Sequence, residues 1–173
     1  MIRQIYKEHI YYSLFEIVDT QIDSIPENAF TNMCFNQIRL SNNQIKYISN
    51  SSFIKIDYLT RLELNQNKLE SIDGLISSLD VTSLGILDVS ANRIRRIEVK
   101  FPPNLKSLTL LFLNNNEIEF ISDFTFENLV NLGTLYLDNN KLKKISQFTL
   151  AKLVKLSALY FSGNLLEMIE DGA

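Results

Sequence analysis

A motif recurs along the chain at nearly constant spacing, and no other feature constrains the fold as strongly. One copy, LYLDNNKLKKIS at residues 135–146, places apolar residues at 135, 137, 142 and 145 around a single asparagine. The equivalent key positions of the seven copies are Thr20, Asn43, Asn67, Asn92, Asn116, Asn140 and Asn164. Their spacings are 23, 24, 25, 24, 24 and 24 residues. A unit this short cannot bury its own apolar face, so we predict that the copies stack around one shared core.

Each position within a copy has a physical role. Leu135 and Leu137 alternate with Tyr136, which predicts a short strand with both leucines facing the core and the tyrosine facing outward. The next two apolar positions turn back toward the same interior. The asparagine falls where the chain leaves the strand, and its amide can satisfy backbone groups that lose their partners at the bend. Thr20 offers only a hydroxyl, so we expect the first turn to be held less firmly.

These residues resemble the leucine-rich repeat family, L-x-x-L-x-L-x-x-N-x-L, across essentially the whole chain. The resemblance implies an α/β solenoid, or horseshoe, with a concave parallel β-sheet of about seven short strands and a largely irregular or 3-10 convex side. We therefore predict a single array over residues 1–173, with no cysteine-rich caps.

A second signal narrows the resemblance. The tenth residue after the key position is Phe30, Phe53, Phe126 or Leu150, and Phe101 comes one place early. This is similar to the phenylalanine spine of the typical repeats of about 24 residues, found in extracellular receptors and matrix proteins. Toll-like receptor ectodomains and variable lymphocyte receptors, both used in immune recognition, are examples. Ser77 interrupts the spine in the third copy, and the spacing of 25 residues that follows predicts a local irregularity.

The composition excludes several classes of protein. With 46% hydrophobic residues, 21% charged residues and a net charge of -3, the chain is typical of a globular protein. Its longest apolar run, at residues 108–113, is too short to cross a bilayer, so we predict no membrane insertion by this segment. The first twelve residues lack the apolar core of a signal peptide. The one cysteine, Cys34, allows no internal disulfide and is interpreted as a small core residue.

Neither end carries a cysteine-rich cap. Residues 1–12 place Ile2, Ile5, Tyr6, His9 and Ile10 at helix-like spacing, which fits an amphipathic capping turn or, equally, the tail of an earlier repeat. At the other end, residues 169–173 parallel residues 25–29, which precede the first spine phenylalanine. We interpret the chain as a piece of a longer array; the alternative is a cap supplied by a partner chain.

The outward strand positions form columns on the concave side. The central column reads Glu16, Arg39, Glu63, Asp88, Phe112, Tyr136 and Tyr160, and so changes from charged to aromatic. The predicted ligand-binding residues are Ile86, Leu110, Phe112, Tyr136 and Tyr160, with Asp138 on the polar rim. The alternative is that stacked aromatics only stabilise the sheet. Because no second layer covers the concave side of an open solenoid, we favour binding of a protein or peptide.

Two basic triplets, at residues 93–96 and 141–144, raise the question of nucleic acid. The column three residues after the key position alternates in sign: Asp23, Lys46, Glu70, Arg95, Glu119, Lys143 and Glu167. We expect neighbouring repeats to pair these charges, each pair contributing about 0 to 1 kcal/mol. Nucleic-acid affinity needs an unopposed positive surface, so the sequence predicts no nucleic-acid partner.

Catalytic and metal-binding motifs are not found. The single histidine, His9, has no evident nucleophile partner, and the chain has no Gly-rich phosphate loop. Arg39 interrupts the acidic residues Glu16, Glu63 and Asp88, so we predict a solvated polar face without a metal. The sequence thus predicts a non-enzymatic protein without cofactors. Asn50 begins an N-x-S glycosylation sequon in a predicted loop.

Two functional hypotheses remain. The first is a protein-recognition module of an extracellular or cell-surface receptor or matrix-type protein, supported by the phenylalanine spine and the Asn50 sequon. The second is an intracellular, cytoplasmic scaffold or regulatory subunit built on the same repeat. The lack of a signal peptide and the lone cysteine favour the second hypothesis. The oligomeric state is left open.

Overall fold

Seven parallel strands form one continuous sheet in the computed structural model, which describes residues 12–169. They are β1 (Tyr12–Glu16), β3 (Phe35–Arg39), β5 (Arg61–Glu63), β6 (Ile86–Asp88), β8 (Leu110–Phe112), β10 (Thr134–Tyr136) and β12 (Ala158–Tyr160). Each strand pairs with the next in sequence order. The predicted solenoid with a parallel sheet of seven short strands is confirmed.

Short two-residue strands follow the turns after most of the sheet strands. They pair as β2 (Ser24–Ile25) with β4 (Tyr47–Ile48), β7 (Arg96–Ile97) with β9 (Phe120–Ile121), and β11 (Lys144–Ile145) with β13 (Met168–Ile169). The remaining described connections are mostly turns, with two short helices, α1 (Asp73–Ser78) and α2 (Gln147–Leu150). The core lies between these connections and the sheet, and its leucine and isoleucine positions are almost completely buried.

Buried asparagines tie successive repeats together after strands β3, β5, β6, β8 and β10. Asn67 is representative: its Nδ2 donates to the carbonyls of Leu40 and Leu64 at 2.9 and 3.0 Å, and its Oδ1 accepts from the Ile45 amide at 3.0 Å. Because each asparagine bonds to its own repeat and to the one before it, these asparagines set how the repeats stack. Thr20 is exposed and makes a single side-chain hydrogen bond, its hydroxyl donating to Asn43.

The phenylalanine spine runs through the core in two sections. Phe30 and Phe53 stack with their ring centroids 5.1 Å apart, and Phe101 and Phe126 lie 5.7 Å apart. All four are buried. The spine position of the third copy, Ser77, is exposed. The predicted irregularity there takes the form of α1.

Helix α1 replaces the missing phenylalanine with aliphatic side chains. It buries Leu75 and Ile76 in the core. Gly74 lets the helix approach β4 closely, because a Cβ at this position would lie 2.0 Å from the Ile48 carbonyl oxygen. The space left by the missing phenylalanine is therefore filled by Leu75 and Ile76, because the backbone forms a helix here.

Two predictions lie outside the described residues. The first concerns residues 1–11, which include His9 and were expected to form a capping turn or the tail of an earlier repeat. The second concerns the last four residues of the C-terminal pattern, at 170–173. Within residues 12–169, the helices are too short and too polar to cross a membrane.

Candidate functional site

The central column of the concave sheet is aligned strand by strand. In register, Glu16 pairs with Arg39, Arg39 with Glu63, and Glu63 with Asp88. The column continues from Asp88 through Phe112, Tyr136 and Tyr160. The near-constant repeat length brings these residues side by side, because each repeat returns the chain to the same place on the next strand.

Three aromatic residues, Phe112, Tyr136 and Tyr160, form what we term the aromatic ladder. The ring centroids of Phe112 and Tyr136 are 4.6 Å apart with planes inclined by 8°, and those of Tyr136 and Tyr160 are 4.5 Å apart with planes inclined by 3°. Parallel rings this close cover one another's faces. The ladder therefore offers ring edges and two phenolic hydroxyls, and Tyr160 at its end is 46% exposed.

The other predicted site residues lie directly beside the ladder. Ile86 is in register with Leu110 in the adjoining column, and both are half-buried. Asp138 follows β10 on the opposite side, also half-buried, and its carbonyl accepts a hydrogen bond from the Asn115 amide. The six residues thus occupy neighbouring positions on one surface of the sheet.

The first three strands carry a network of charges in place of rings. Arg39 bridges Glu16 and Glu63 at 2.6 and 2.8 Å, and Arg61 also contacts Glu63. Burial acts to raise the pKa of Glu63, but hydrogen bonds from Arg39 and Arg61 outweigh it and hold the pKa below its ordinary value. The hydrogen bond and charge of Glu63 raise the pKa of Arg39. The ionised forms of Glu63 and Arg39 are therefore stabilised, and all four side chains are paired.

Our sequence interpretation of a solvated polar face was wrong for Glu63, which is only 8% exposed. The residue that it missed is Arg61, which lies two positions before Glu63 on the same face of β5. That spacing of opposite charges was the signal in the sequence. Within residues 12–169, no group of three or more potential metal ligands is found.

A polar depression of about 360 Å³ adjoins the charge network. Its lining includes Arg39, Arg61, Glu63 and Asp88. Asp88 stands at the boundary with the aromatic ladder, and its Oδ1 accepts from the amide and the hydroxyl of Ser90 at 2.9 and 2.6 Å. One carboxylate oxygen of Asp88 is thus held in place while the other has no partner among the described residues.

The predicted charge pairing on the flank was wrong in its detail. Within residues 12–169, no ion pair joins neighbouring members of the column three residues after the key position, because these side chains extend into solvent. Instead, Glu117 pairs with Lys141 at 2.9 Å and more distantly with Arg95 at 3.9 Å. The hydrogen bond from Lys141 lowers the pKa of Glu117. The two basic triplets therefore have acidic neighbours, but through different residues from those expected.

Two further predicted positions lie away from the concave sheet. Asn50 is exposed in a turn after β4, and the third residue of its sequon, Ser52, is buried with its hydroxyl donating to the Ser49 and Pro26 carbonyls at 2.9 and 3.0 Å. Cys34 is buried in the core, and burial raises the pKa of its thiol. A raised thiol pKa disfavours the reactive thiolate at neutral pH.

Comparison with known families and curated proteins gives consistent matches. The family model described as "BspA type Leucine rich repeat region (6 copies)" matches residues 4–100, and the one described as "Leucine rich repeat" matches residues 82–142. Keratocan from Gallus gallus and keratocan from Coturnix japonica are each 31% identical over 108 residues, or 61% of this chain. The chain spans 29% of the length of these curated relatives.

Solved structures show the same architecture. A crystal structure of a TLR13–ssRNA13 complex superposes with a TM-score of 0.77 at 28% identity, covering 86% of this chain and 21% of that one. An internalin from Listeria monocytogenes superposes with a TM-score of 0.50 at 28% identity, covering 72% of this chain and 34% of that one.

Proposed function

The chain belongs to the leucine-rich repeat family, and from that premise we propose that it binds a protein partner through its concave face without catalysing a reaction. The repeats are those of a protein-interaction module with receptor-like and matrix relatives. We place the contact surface at the aromatic ladder, with Ile86 and Leu110 on one side and Asp138 on the other.

The observation that carries this proposal is an apolar column on an uncovered sheet face. The aromatic ladder and its two aliphatic neighbours form one contiguous, partly exposed apolar column of five side chains. Aromatic side chains contribute strongly to interfaces, and contiguous exposed apolar patches on soluble proteins often mark interaction sites. The half-buried rings are already oriented, so that little side-chain entropy is lost on binding.

Stacking between the rings also stabilises the sheet, at about 0.5 to 1.5 kcal/mol for each pair. A purely structural role does not require the column to be aromatic, because the charged half forms the same strands without rings. This point favours binding as the main role of the ladder.

The test compares the wild-type chain with a triple variant, Phe112→Ser, Tyr136→Ser and Tyr160→Ser. Both are screened against an array of extracellular protein domains by surface plasmon resonance. We expect the screen to identify proteins that bind the wild type, and we expect their affinity for the variant to be lower by at least about a hundredfold. Tyr47→Ser, at an exposed tyrosine of the flank, is the matched control and should leave binding unchanged. Binders that all tolerate the triple change, with unchanged circular dichroism, contradict the proposal.

We also propose that the protein acts outside the cell or at the cell surface. The similarity to keratocan and to TLR13, together with the exposed Asn50 sequon, supports this location. An immunoblot of the native protein before and after enzymatic removal of N-glycans tests it. A band whose mobility increases on treatment, and does not do so after Asn50→Gln, is the expected result. An unmoved band favours the intracellular scaffold.

Single-stranded RNA is a second candidate ligand, because the TLR13 structure is an RNA complex. Two features of this chain argue against it. The middle ring of the ladder has both faces covered by its neighbours, so that no base can stack there. The concave columns around the ladder carry acidic residues and no basic ones. A fluorescent single-stranded RNA should therefore show no ladder-dependent change in anisotropy.

A further inference from the structure

We infer that the partner segment on the aromatic ladder carries a lysine or arginine side chain, which docks against Asp88 or Asp138. This inference rests on the proposed function and names the chemistry of its partner. It starts from the charges that remain on the concave face after the internal ion pairs have formed.

Charge is distributed differently in the two halves of the concave face. In the three concave columns of β1, β3 and β5, the charged residues are Glu16, Arg39, Arg61 and Glu63, two of each sign, and they bond to one another. In the same columns of β6, β8, β10 and β12, the charged residues are Asp88 and Asp138, with no basic residue. The net charge is therefore zero in the first half and -2 around the aromatic ladder.

Neither aspartate is neutralised by the protein. No ion pair involves Asp88 or Asp138 within residues 12–169. The arginines that line the depression beside Asp88 are held by Glu63 and Glu16. Asp88 is fixed by Ser90 through one oxygen only, so its carboxylate is oriented before a ligand arrives.

The column beside the ladder is also short of hydrogen-bond donors. The side-chain oxygen of Asn114 is buried and has no hydrogen-bond partner among the described residues. Asn114 lies one strand before Asp138 in the same column, as the hydrogen bond from the Asn115 amide to the Asp138 carbonyl shows. Because Asn114 Oδ1 is buried, the acceptor in this column that a partner can reach is the Asp138 carboxylate, to which an ammonium or guanidinium group brings three to five N–H donors.

Distances on the sheet set the length of the segment. Neighbouring strands are about 4.8 Å apart, so Asp88 and Tyr160 are separated by three strand spacings, about 14 Å. An extended peptide advances at most about 3.3 to 3.6 Å per residue, so four to five residues cover this distance. One short segment crossing the strands can therefore place a basic side chain at Asp88 and apolar side chains along the ladder.

A displayed library of random twelve-residue peptides tests the inference. The library is selected on the wild-type chain and depleted on the triple ladder variant, so that only ladder-dependent peptides remain. We expect these peptides to be enriched in Lys or Arg within about four residues of an apolar residue. Asp88→Asn with Asp138→Asn should lower their affinity by about tenfold, and changing the basic residue of the peptide to Gln should have the same effect.

The controls separate this inference from the proposed function. Asp23→Asn makes the same chemical change on the flank and should leave affinity unaltered. In a double-mutant cycle, the aspartate changes should have no further effect on a peptide that has already lost its basic residue. Ladder-dependent peptides without basic enrichment, or peptides indifferent to both aspartates, overturn the inference and leave the proposed function standing. Failure to obtain any ladder-dependent peptide counts against the proposed function itself.

Discussion

The two halves of the concave sheet share one backbone arrangement and differ in chemistry. In the first half, Arg39 and Arg61 bond to Glu63, and Arg39 also reaches Glu16. In the second half, three aromatic rings stack across the same strand spacing. The core residues behind the inner strands of both halves are fully buried: Ile38 and Leu62 in the first half, and Leu87, Leu111 and Leu135 in the second. The scaffold is therefore set by the inward positions, and the outward positions are free to carry either pattern.

The two halves differ in how many of their exposed polar and charged groups remain unpaired. In the charged half, each carboxylate of the central column forms an ion pair with an arginine. The aromatic half has no such pairing, because its concave columns contain no basic residue and neither Asp88 nor Asp138 has an ion-pair partner within residues 12–169. Binding is expected where the protein has not already paired its own groups.

Replacing a key asparagine should destabilise the protein by the same amount in either half, and this is the largest effect that we predict. Asn67 in the charged half and Asn116 in the aromatic half each make four buried or half-buried hydrogen bonds. Replacing either with Ala leaves several backbone groups unsatisfied, so we expect a loss of about 3 kcal/mol in each case, measured by urea unfolding. Thr20→Ala removes one part-buried hydrogen bond and should therefore cost less, about 1 kcal/mol.

Unequal losses at Asn67 and Asn116 would contradict the common scaffold. In that case the outward chemistry would have to contribute to the stability of each half. The comparison would then concern two different structures rather than two surfaces on one structure.

Acid should distinguish the two halves through Glu63. Its pKa in the folded protein lies below the ordinary value of 4.5, so its contribution to stability is present above pH 4.5 and is lost as the pH falls through the lowered pKa. Glu63→Gln should lower the free energy of unfolding at neutral pH by about 1 kcal/mol, since the partners are partly exposed. Glu63→Gln should also make the free energy of unfolding fall less steeply as the pH is lowered below 4.5.

The matched measurement is the unfolding free energy of the triple ladder variant from pH 7 to pH 3. Its slope against pH should equal that of the wild type, because no carboxylate is changed. A wild-type slope retained by Glu63→Gln would show that the network does not hold the carboxylate as described.

Tyr136 provides a test confined to the aromatic half. Tyr136→Leu keeps an apolar side chain but removes two ring stacks, so we expect destabilisation of about 1 kcal/mol, by urea unfolding. The same change should reduce ladder-dependent binding strongly, whereas Tyr136→Phe should keep the stacks and lose only the contacts of the hydroxyl. A variant that loses stability but no binding would make the ladder a structural feature.

The smallest predicted effect lies at the boundary between the halves. Ala91 precedes its key asparagine with φ of 52°, in the left-handed region, where Gly163 stands in the last repeat with φ of 70°. Ala91→Gly relieves a backbone cost of about 1 to 2 kcal/mol and adds flexibility to the unfolded chain that offsets about half of it. We expect a gain of about 0.5 kcal/mol in thermal or urea unfolding, with binding unchanged. A loss of stability would show that Ala91 is not strained.

Much of the fold followed from the spacing of a few residues. The period of the key asparagines fixes which positions are neighbours, so the order of the central column from Glu16 to Tyr160 could be predicted before any coordinates were known. The interruption at Ser77 predicted an irregularity, but nothing in the sequence pattern predicted that Leu75 and Ile76 would fill the gap from a helix.

The sequence by itself determined the repeat, the core, the strand register and the chemistry of each concave column, because a constant period returns every repeat to the same place. The tertiary structure alone decided which exposed charges meet and how the rings face one another. Glu117 pairs with Lys141 and Arg95, and Glu63 pairs with two arginines. A long charged side chain can reach several partners on its own and neighbouring strands. Which partner it contacts depends on its rotamer and on local burial, and the sequence pattern specifies neither.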